Sequence, residues 1–434
     1  MNSIGKMRTV EWFAISVACI LGTLVTGCKD SSLNDHRGDS GVGPSRRNEN
    51  RRDESDRSVP VVIADENPRP DTESDGDGEQ DKMVRPRNRH LNPGHPVFAS
   101  AGEAKKCNDG EYGADYWGIG TGKNNAWTAP SPAWCALNLE DINATRVLIA
   151  LSDEQGTANT EGWPGFRNYV ISTSADSTNG ADGVWHRQLS VTGNTFGYRE
   201  HRIPFQGQHW IRVTVRTPST AVIDELDVWD VSDDPQQMSA SVLWLGDSIT
   251  ARCADRHGNY GTRMSLQKII HDNFPPYYPL QIGAGTVGIG SADILRGHPS
   301  KLDTYLTIFP DVHFWCVALG TNESNATEPG KTFHANLTRI VDRIEAAGHR
   351  AIIARIPYSL SPSRARAAAR LNMEVDKVTS EKNLTPGPDL YNLFKHNADS
   401  FFSDGERIHP NRIGCTAWQQ AWAEVIGPLI DQSE

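Results

Sequence analysis

The apolar run Ser241-Val242-Leu243-Trp244-Leu245 ends in Gly246-Asp247-Ser248-Ile249-Thr250. A buried strand that stops at Gly-Asp-Ser, with a helical pattern soon after, presents the Ser248 hydroxyl at the strand's carboxyl edge, where open α/β sheets bind ligands. In that position it reads as a nucleophile. A serine hydroxyl is weak at neutral pH, so an imidazole must take its proton during attack and return one to the leaving group. Three histidines bear on that role. His257 is near Ser248 in sequence, His298 follows a glycine-rich stretch, and His409 stands in Glu406-Arg407-Ile408-His409-Pro410, just before a terminal helical pattern. The setting of His409 favours it over the others.

The residues from Ser239 onward alternate between strand and helix patterns. Strands are expected at 241–245, 279–284, 311–319, 350–356 and 387–391, and helices at 258–274, 290–296, 331–347, 362–381 and 414–428. Such alternation predicts a parallel sheet with helices on both faces, an α/β/α three-layer domain. Phe333, Leu337, Ile340, Val341 and Ile344 fall at helical spacing, with Gly348 as the stop, and are read as core.

Four blocks recur in order across this region: Gly246-Asp247-Ser248, then Gly285-Thr286-Val287-Gly288-Ile289-Gly290, then Gly320-Thr321-Asn322-Glu323, then Glu406 to Pro410. Together they resemble the SGNH, or GDSL, hydrolase family over residues 239–432, which implies a flavodoxin-like fold and a serine esterase. Carried over residue by residue, the resemblance makes Ser248 the nucleophile and His409 the general base. It makes the Ser248 and Gly288 N–H groups and the Asn322 amide the oxyanion hole. Two positions depart from the family pattern. Glu323 stands where the third block usually has aspartate, and the acid three residues before the histidine is Glu406. Glutamate can orient an imidazole, but its extra methylene changes the reach; Asp404 is the competitor, and a Ser–His dyad oriented by a backbone carbonyl is the third arrangement. The chemistry needs no metal or organic cofactor.

From about Phe98 to Ser232 the pattern is all-β. Runs such as Arg146 to Leu151, Asn168 to Thr173, His201 to Phe205 and Trp210 to Val215 alternate with Gly, Asn, Asp and Ser clusters, which predicts a sandwich. Asn108-Asp109-Gly110, Ala126-Trp127, Trp134, Ser174-Ala175-Asp176 with Trp185, Ile211-Arg212-Val213 and Ile223-Asp224-Glu225 then follow in order. That order resembles a discoidin-type, galactose-binding-like jelly roll, expected over 96–235. The resemblance implies glycan binding and a structural calcium ion, with Asn108, Asp109, Asp115 and Glu225 as oxygen ligands. Trp127, Trp134 and Trp185 are expected in the core. Trp163, in a polar loop, and Tyr116 with Trp117 are the candidate sugar platforms.

No aromatic residue occurs between Phe13 and Phe98, and residues 29–95 carry 12 Lys/Arg and 15 Asp/Glu, so this stretch is expected as a disordered charged linker. As a flexible coil it would reach roughly 40 to 50 Å. Before it, Lys6 and Arg8 precede an apolar stretch that runs into Val25-Thr26-Gly27-Cys28. This resembles a bacterial lipoprotein signal over residues 1–28, and implies lipid attachment at Cys28 and an extracytoplasmic, membrane-anchored protein; Lys29 is compatible with outer-membrane sorting. A net charge of −11 with no basic stripe outside the linker argues against nucleic acid as the main partner. Beyond Cys19 and Cys28, the remaining Cys107, Cys135, Cys253, Cys316 and Cys415 show no metal spacing; Cys107 with Cys135 is the pair to test for a disulfide, against five buried or free thiols.

These readings combine into an expectation: an esterase that removes small acyl groups, acetyl above all, from a polysaccharide or glycoconjugate. The alternatives are a lipase-like or general carboxylester hydrolase and, from another class, a surface glycan-binding protein whose hydrolase domain has decayed.

Overall fold

The computed structural model describes residues 89–92, 94–110, 126–153, 165–234, 236–254, 266–273, 278–323, 329–403 and 405–432. All lie in the unit Glu79–Glu434. The first half is two packed antiparallel sheets. One contains β1 (Arg89–His90), β5 (Arg146–Ser152), β8 (Tyr198–Pro204) and β11 (Glu225–Asp230), in the order β1-β11-β5-β8. The other contains β2 (Val97–Ala99), β4 (Ala133–Asn138), β6 (Asn168–Ser174), β7 (His186–Val191) and β9 (Trp210–Thr217), in the order β2-β4-β9-β6-β7. A short pair, β3 (Trp127–Pro130) with β10 (Thr220–Ile223), completes it. The expected linker, 29–95, overlaps β1: His90 pairs with Trp229 and Leu91 is buried, so the sandwich starts before residue 96.

The second half is a parallel sheet of β12 (Met238–Gly246), β13 (Leu280–Gly285), β14 (Val312–Ala318), β15 (Arg350–Arg355) and β16 (Pro386–Asp389), in the order β13-β12-β14-β15-β16. Its helices are α1 (Ser248–Cys253), α2 (Leu266–Asn273), α3 (Ser291–Ile294), α4 (Lys301–Ile308), α5 (Pro329–Ala346), α6 (Pro362–Glu381), α7 (Leu390–His396), α8 (Ala398–Phe401) and α9 (Arg412–Gln432). Each expected strand and helix of this half has a counterpart, while α1, α4, α7 and α8 had no expected one. The order reverses direction at β12, so the crevice between the carboxyl ends of β12 and β14 is where such sheets receive ligands. Phe333, Leu337, Ile340, Val341 and Ile344 of α5 are all buried, as their spacing predicts.

The two halves share a wall. Along β5, Val147, Ile149 and Leu151 face the sandwich core, while Leu148 and Ala150 join the core of the α/β half. A strand buried on both faces reads as a continuous apolar run, which is how Arg146 to Leu151 looks in sequence. Tyr198, Trp229 and Val231 also join that second core, together with Met238, Ala240, Phe309 and Val312 at the starts of β12 and β14. The Trp229 indole donates to Tyr278 O at 2.8 Å, and Arg202 Nε donates to Asp311 Oδ1 at 2.6 Å. The sandwich therefore docks on the amino ends of the parallel strands. At about 3.3 Å per residue, β12 carries the chain roughly 30 Å from that interface to the serine. Among the described residues no helix is long and apolar enough to cross a membrane.

Candidate active site

Ser248 lies on a sharp turn from β12 into α1. A Cβ on Gly246 would collide with the Thr250 hydroxyl and lie 2.6 Å from Ala318 O, so only glycine lets the turn close against β14. Asp247 caps α1 by accepting the Ile249 N–H at 2.9 Å. Burial pushes the Asp247 carboxyl up to about 6, with the nearby Glu323 charge acting in the same direction. Ser248 itself is 5% exposed, and its Oγ is 2.9 Å from His409 Nε2.

Packing and hydrogen bonds fix the histidine's approach. Trp418 and Trp422 of α9 pack edge-on against Trp244 of β12, with ring centroids 5.7 and 5.1 Å apart, so the helix that follows the histidine is locked to the nucleophile's strand. Gln419 Nε2 donates to Cys253 O at 2.8 Å at the end of α1. Ahead of α9, Ser359 Oγ donates to Arg407 O at 2.7 Å and holds the turn that carries His409. Burial lowers the His409 pKa, Glu406 opposes that, and Arg252 and Arg364 add to it. An imidazole so placed is neutral at pH 7 and able to accept a proton.

Glu406 serves its own turn first. Its Oε1 accepts the N–H groups of Arg407, Ile408 and His409 at 2.8, 2.9 and 3.2 Å. Burial pushes its carboxyl up, but these backbone donors outweigh it and hold the pKa below the usual glutamate value. Its Oε2 is 3.6 Å from His409 Nδ1, an ion-pair distance longer than a hydrogen bond. Asp404 lies outside the described residues.

The oxyanion candidates lie on the loops that follow the two strands flanking β12. The loop after β13 is tied to the nucleophile strand by Thr286 N–H donating to Gly246 O at 2.9 Å. Gly288 has φ +74° with open space where a Cβ would be, so the backbone conformation is what calls for glycine there. After β14, the Asn322 amide donates to Ile289 O at 3.0 Å. Arg364, from the first turn of α6, donates to Thr321 O at 2.6 Å. The sequence reading missed Arg364 and Ser359; in an arginine-rich, serine-rich stretch neither carries a local signal.

The sandwich candidates are divided. Tyr116, Trp117, Asp115 and Trp163 lie outside the described residues. Asn108 Oδ1 accepts the Asn92 amide at 2.5 Å, Asp109 is exposed, and the buried Glu225 accepts the Gly110 N–H at 2.8 Å. Asn108 and Glu225 thus brace this turn through the Asn92 amide and the Gly110 N–H. No group of three or more His, Cys, Asp or Glu that could hold a metal occurs among the described residues. Trp127 is fully buried, as expected. Trp134 and Trp185 are not: both are half-buried on the outer face of the five-stranded sheet, with the Arg212 guanidinium 5.7 and 3.8 Å from their ring centroids. Strand alternation explains Trp134, because its neighbour Cys135 takes the core side. The five described cysteines are buried free thiols, with Cys107 beside Cys135 and Cys253 beside Cys415.

A doubly wound parallel sheet with a Ser–His pair at its switch point is the architecture of a serine hydrolase. Residues 244–417 match the GDSL-like Lipase/Acylhydrolase family model, and the protein is a carboxylester hydrolase. Among solved structures, the chain is similar to a lipase/acylhydrolase from Enterococcus faecalis, at 20% identity over 43% of this chain and 95% of that one, TM-score 0.35. It is also similar to protein YXIM from Bacillus subtilis, at 14% identity over 76% and 88%, TM-score 0.39. An acetylxylan esterase from Geobacillus stearothermophilus matches at 17% identity over 43% and 94%, TM-score 0.35. A search of curated protein sequences gives no match.

Proposed function

We propose that the protein is an extracytoplasmic, lipid-anchored serine esterase that removes small acyl groups, acetyl above all, from carbohydrate. The observation that carries the mechanism is the 2.9 Å contact between Ser248 Oγ and His409 Nε2. In this reading His409 takes the hydroxyl proton as Ser248 attacks the ester carbonyl. The Ser248 and Gly288 N–H groups and the Asn322 amide receive the oxyanion, whose stabilisation by one such donor is typically worth about a hundred- to a thousandfold in rate. Collapse of the tetrahedral intermediate breaks the bond from the acyl carbon to the sugar oxygen, which takes the imidazolium's proton and leaves as a free hydroxyl, and an acyl-serine remains. Water, deprotonated by the same imidazole, then releases the acid.

The sandwich, with its resemblance to glycan-binding jelly rolls, motivates the carbohydrate. Because it docks on the far edge of the sheet, its task in this reading is to hold a polymer near the enzyme, not to line the cleft. Calcium held by Asn108, Asp109, Asp115 and Glu225 would stabilise that sandwich and take no part in the chemistry; chelation should lower its melting temperature. The anchor is Cys28, and Cys28→Ala should move the protein from the detergent to the aqueous phase. Acetate release from acetylated polysaccharides by wild type and Ser248→Ala tests the main reading; equal release by both would sink it.

One observation favours a broader carboxylester hydrolase. Val287, next to Gly288, and Ile413, four residues past His409, are 46% and 58% exposed, and apolar residues at that lip suit a longer acyl chain. A series of aryl esters decides the matter: activity rising beyond butyrate supports that reading, and activity falling after acetate supports the first.

A further inference from the structure

Glu323 departs from the family pattern and has no part in the chemistry above, yet it lies between the two loops that supply the oxyanion donors. Its Oε1 accepts the N–H of Ser291, the first residue of α3. The preceding residue, Asn322, donates to Ile289 O at 3.0 Å. Two adjacent side chains of the loop after β14 thus hold two backbone positions of the loop after β13, one on each side of Gly290. A Cβ on Gly290 would lie 3.1 Å from Glu323 Oε1, so glycine at that position allows the carboxylate its approach.

The receiving loop is braced from its other sides. Asp293 accepts the Gly290 N–H at 2.9 Å, and Asn336 of α5 donates to Ser291 Oγ at 3.2 Å. Glu323 is held there at a cost. Its Oε2 is buried with no hydrogen-bond partner among the described residues. Burial raises its pKa, and the charge of Asp293 adds to the rise. A carboxylate kept in such a place needs a compensating role, and its one strong contact points at the loop that contains Gly288.

We propose that Glu323 is a positioning residue of the oxyanion hole. By joining Ser291 N–H to the loop of Asn322, it sets the spacing between the Gly288 N–H and the Asn322 amide. The extra methylene relative to aspartate supplies the reach across Gly290. The inference rests on the oxyanion role given to Gly288 and Asn322.

Steady-state kinetics on an aryl acetate, with melting temperatures, test it in four variants: Glu323→Asp, Glu323→Gln, Asn322→Ala and Ser248→Ala. Glu323→Asp loses the reach, so kcat should fall about ten- to a hundredfold with KM nearly unchanged. Glu323→Gln keeps both length and acceptor, and should stay at least about fivefold above Glu323→Asp in kcat. Wild-type kcat in Glu323→Asp overturns the proposal, as does an equal loss in the Gln and Asp variants. A fall in melting temperature that tracks kcat across the Glu323 variants makes the role merely structural and also overturns it. Full activity in Asn322→Ala or Ser248→Ala identifies a failure of the underlying mechanism instead.

Discussion

At the amino edge of the parallel sheet, the four-stranded β-sheet seals Leu148, Ala150, Tyr198 and Trp229 against Met238, Ala240, Phe309 and Val312, whereas the carboxyl edge is made of glycine turns, short polar contacts and a serine facing a histidine. The first edge is closed by apolar area, which is non-directional and tolerant of detail. The second is closed by hydrogen bonds between side chains and loop backbone, each requiring one residue type at one reach. Substitutions at the carboxyl edge should therefore cost rate with little stability, and those at the amino edge stability with little rate.

Ser248→Ala gives the largest expected separation. Removing the nucleophile of a serine hydrolase costs about a millionfold in kcat, while loss of one hydroxyl from a 5%-exposed position should leave the urea midpoint nearly unmoved. A large fall in that midpoint would show that the carboxyl edge carries stability as well, and the contrast would be lost. The opposite case is Trp229→Ala. Trp229 is fully buried at the amino edge, and its indole donates to Tyr278 O. Its removal should cost about 3–5 kcal/mol in urea unfolding. Turnover per folded molecule at low temperature should change by less than about twofold, because the serine is roughly 30 Å away along β12.

The same contrast explains what could be read from the sequence. The alternating strand and helix patterns predicted each of the five parallel strands because a strand's apolar run is a local signal; the first three blocks stand just after β12, β13 and β14, and the fourth, with His409, stands just before α9. The docking of the sandwich was not legible, since Leu148 and Val147 look alike in sequence although they face different cores. Trp134 and Trp185 were misread for a related reason: tryptophan type suggests burial, but the face of the sheet decides it. Arg364 and Ser359 were missed because they act through the carbonyls of Thr321 and Arg407, far off in sequence.

Glu406 sharpens the comparison at the carboxyl edge. Its Oε2 is 3.6 Å from His409 Nδ1, while its Oε1 is spent on three backbone N–H groups that glutamine could still satisfy. Glu406→Gln should therefore lower kcat only about tenfold, well short of the roughly ten-thousandfold loss that follows when a triad acid loses its charge. The acid limb of kcat/KM should also move to lower pH, because the carboxylate raises the His409 pKa that burial has lowered. A loss near ten-thousandfold would make Glu406 the full orienting acid.

The smallest effect tests whether the amino edge is as purely apolar as its core suggests. Glu200 is buried there and accepts the Asp311 N–H at 3.1 Å; burial, followed by the Asp311 charge, raises its pKa well above the ordinary glutamate range. Burial raises Asp311 as well, against the pull of Arg202. A carboxyl whose folded pKa exceeds its unfolded value binds more protons folded than unfolded between the two, so its contribution to stability is full below the unfolded value, about 4.3, and is lost as pH rises through the folded one. Asp247 and Glu323 are raised in the same direction at the other edge, so the slope of the whole chain cannot be assigned to either. The difference between wild type and Glu200→Gln isolates one edge. Glutamine stays neutral and keeps an acceptor for the Asp311 N–H, so the variant should gain on wild type in melting temperature as pH rises from about 4.3 toward neutrality. A difference that stays flat with pH would mean that Glu200 does not titrate within the interface, and the amino edge's share of the pH response would then fall to Asp311.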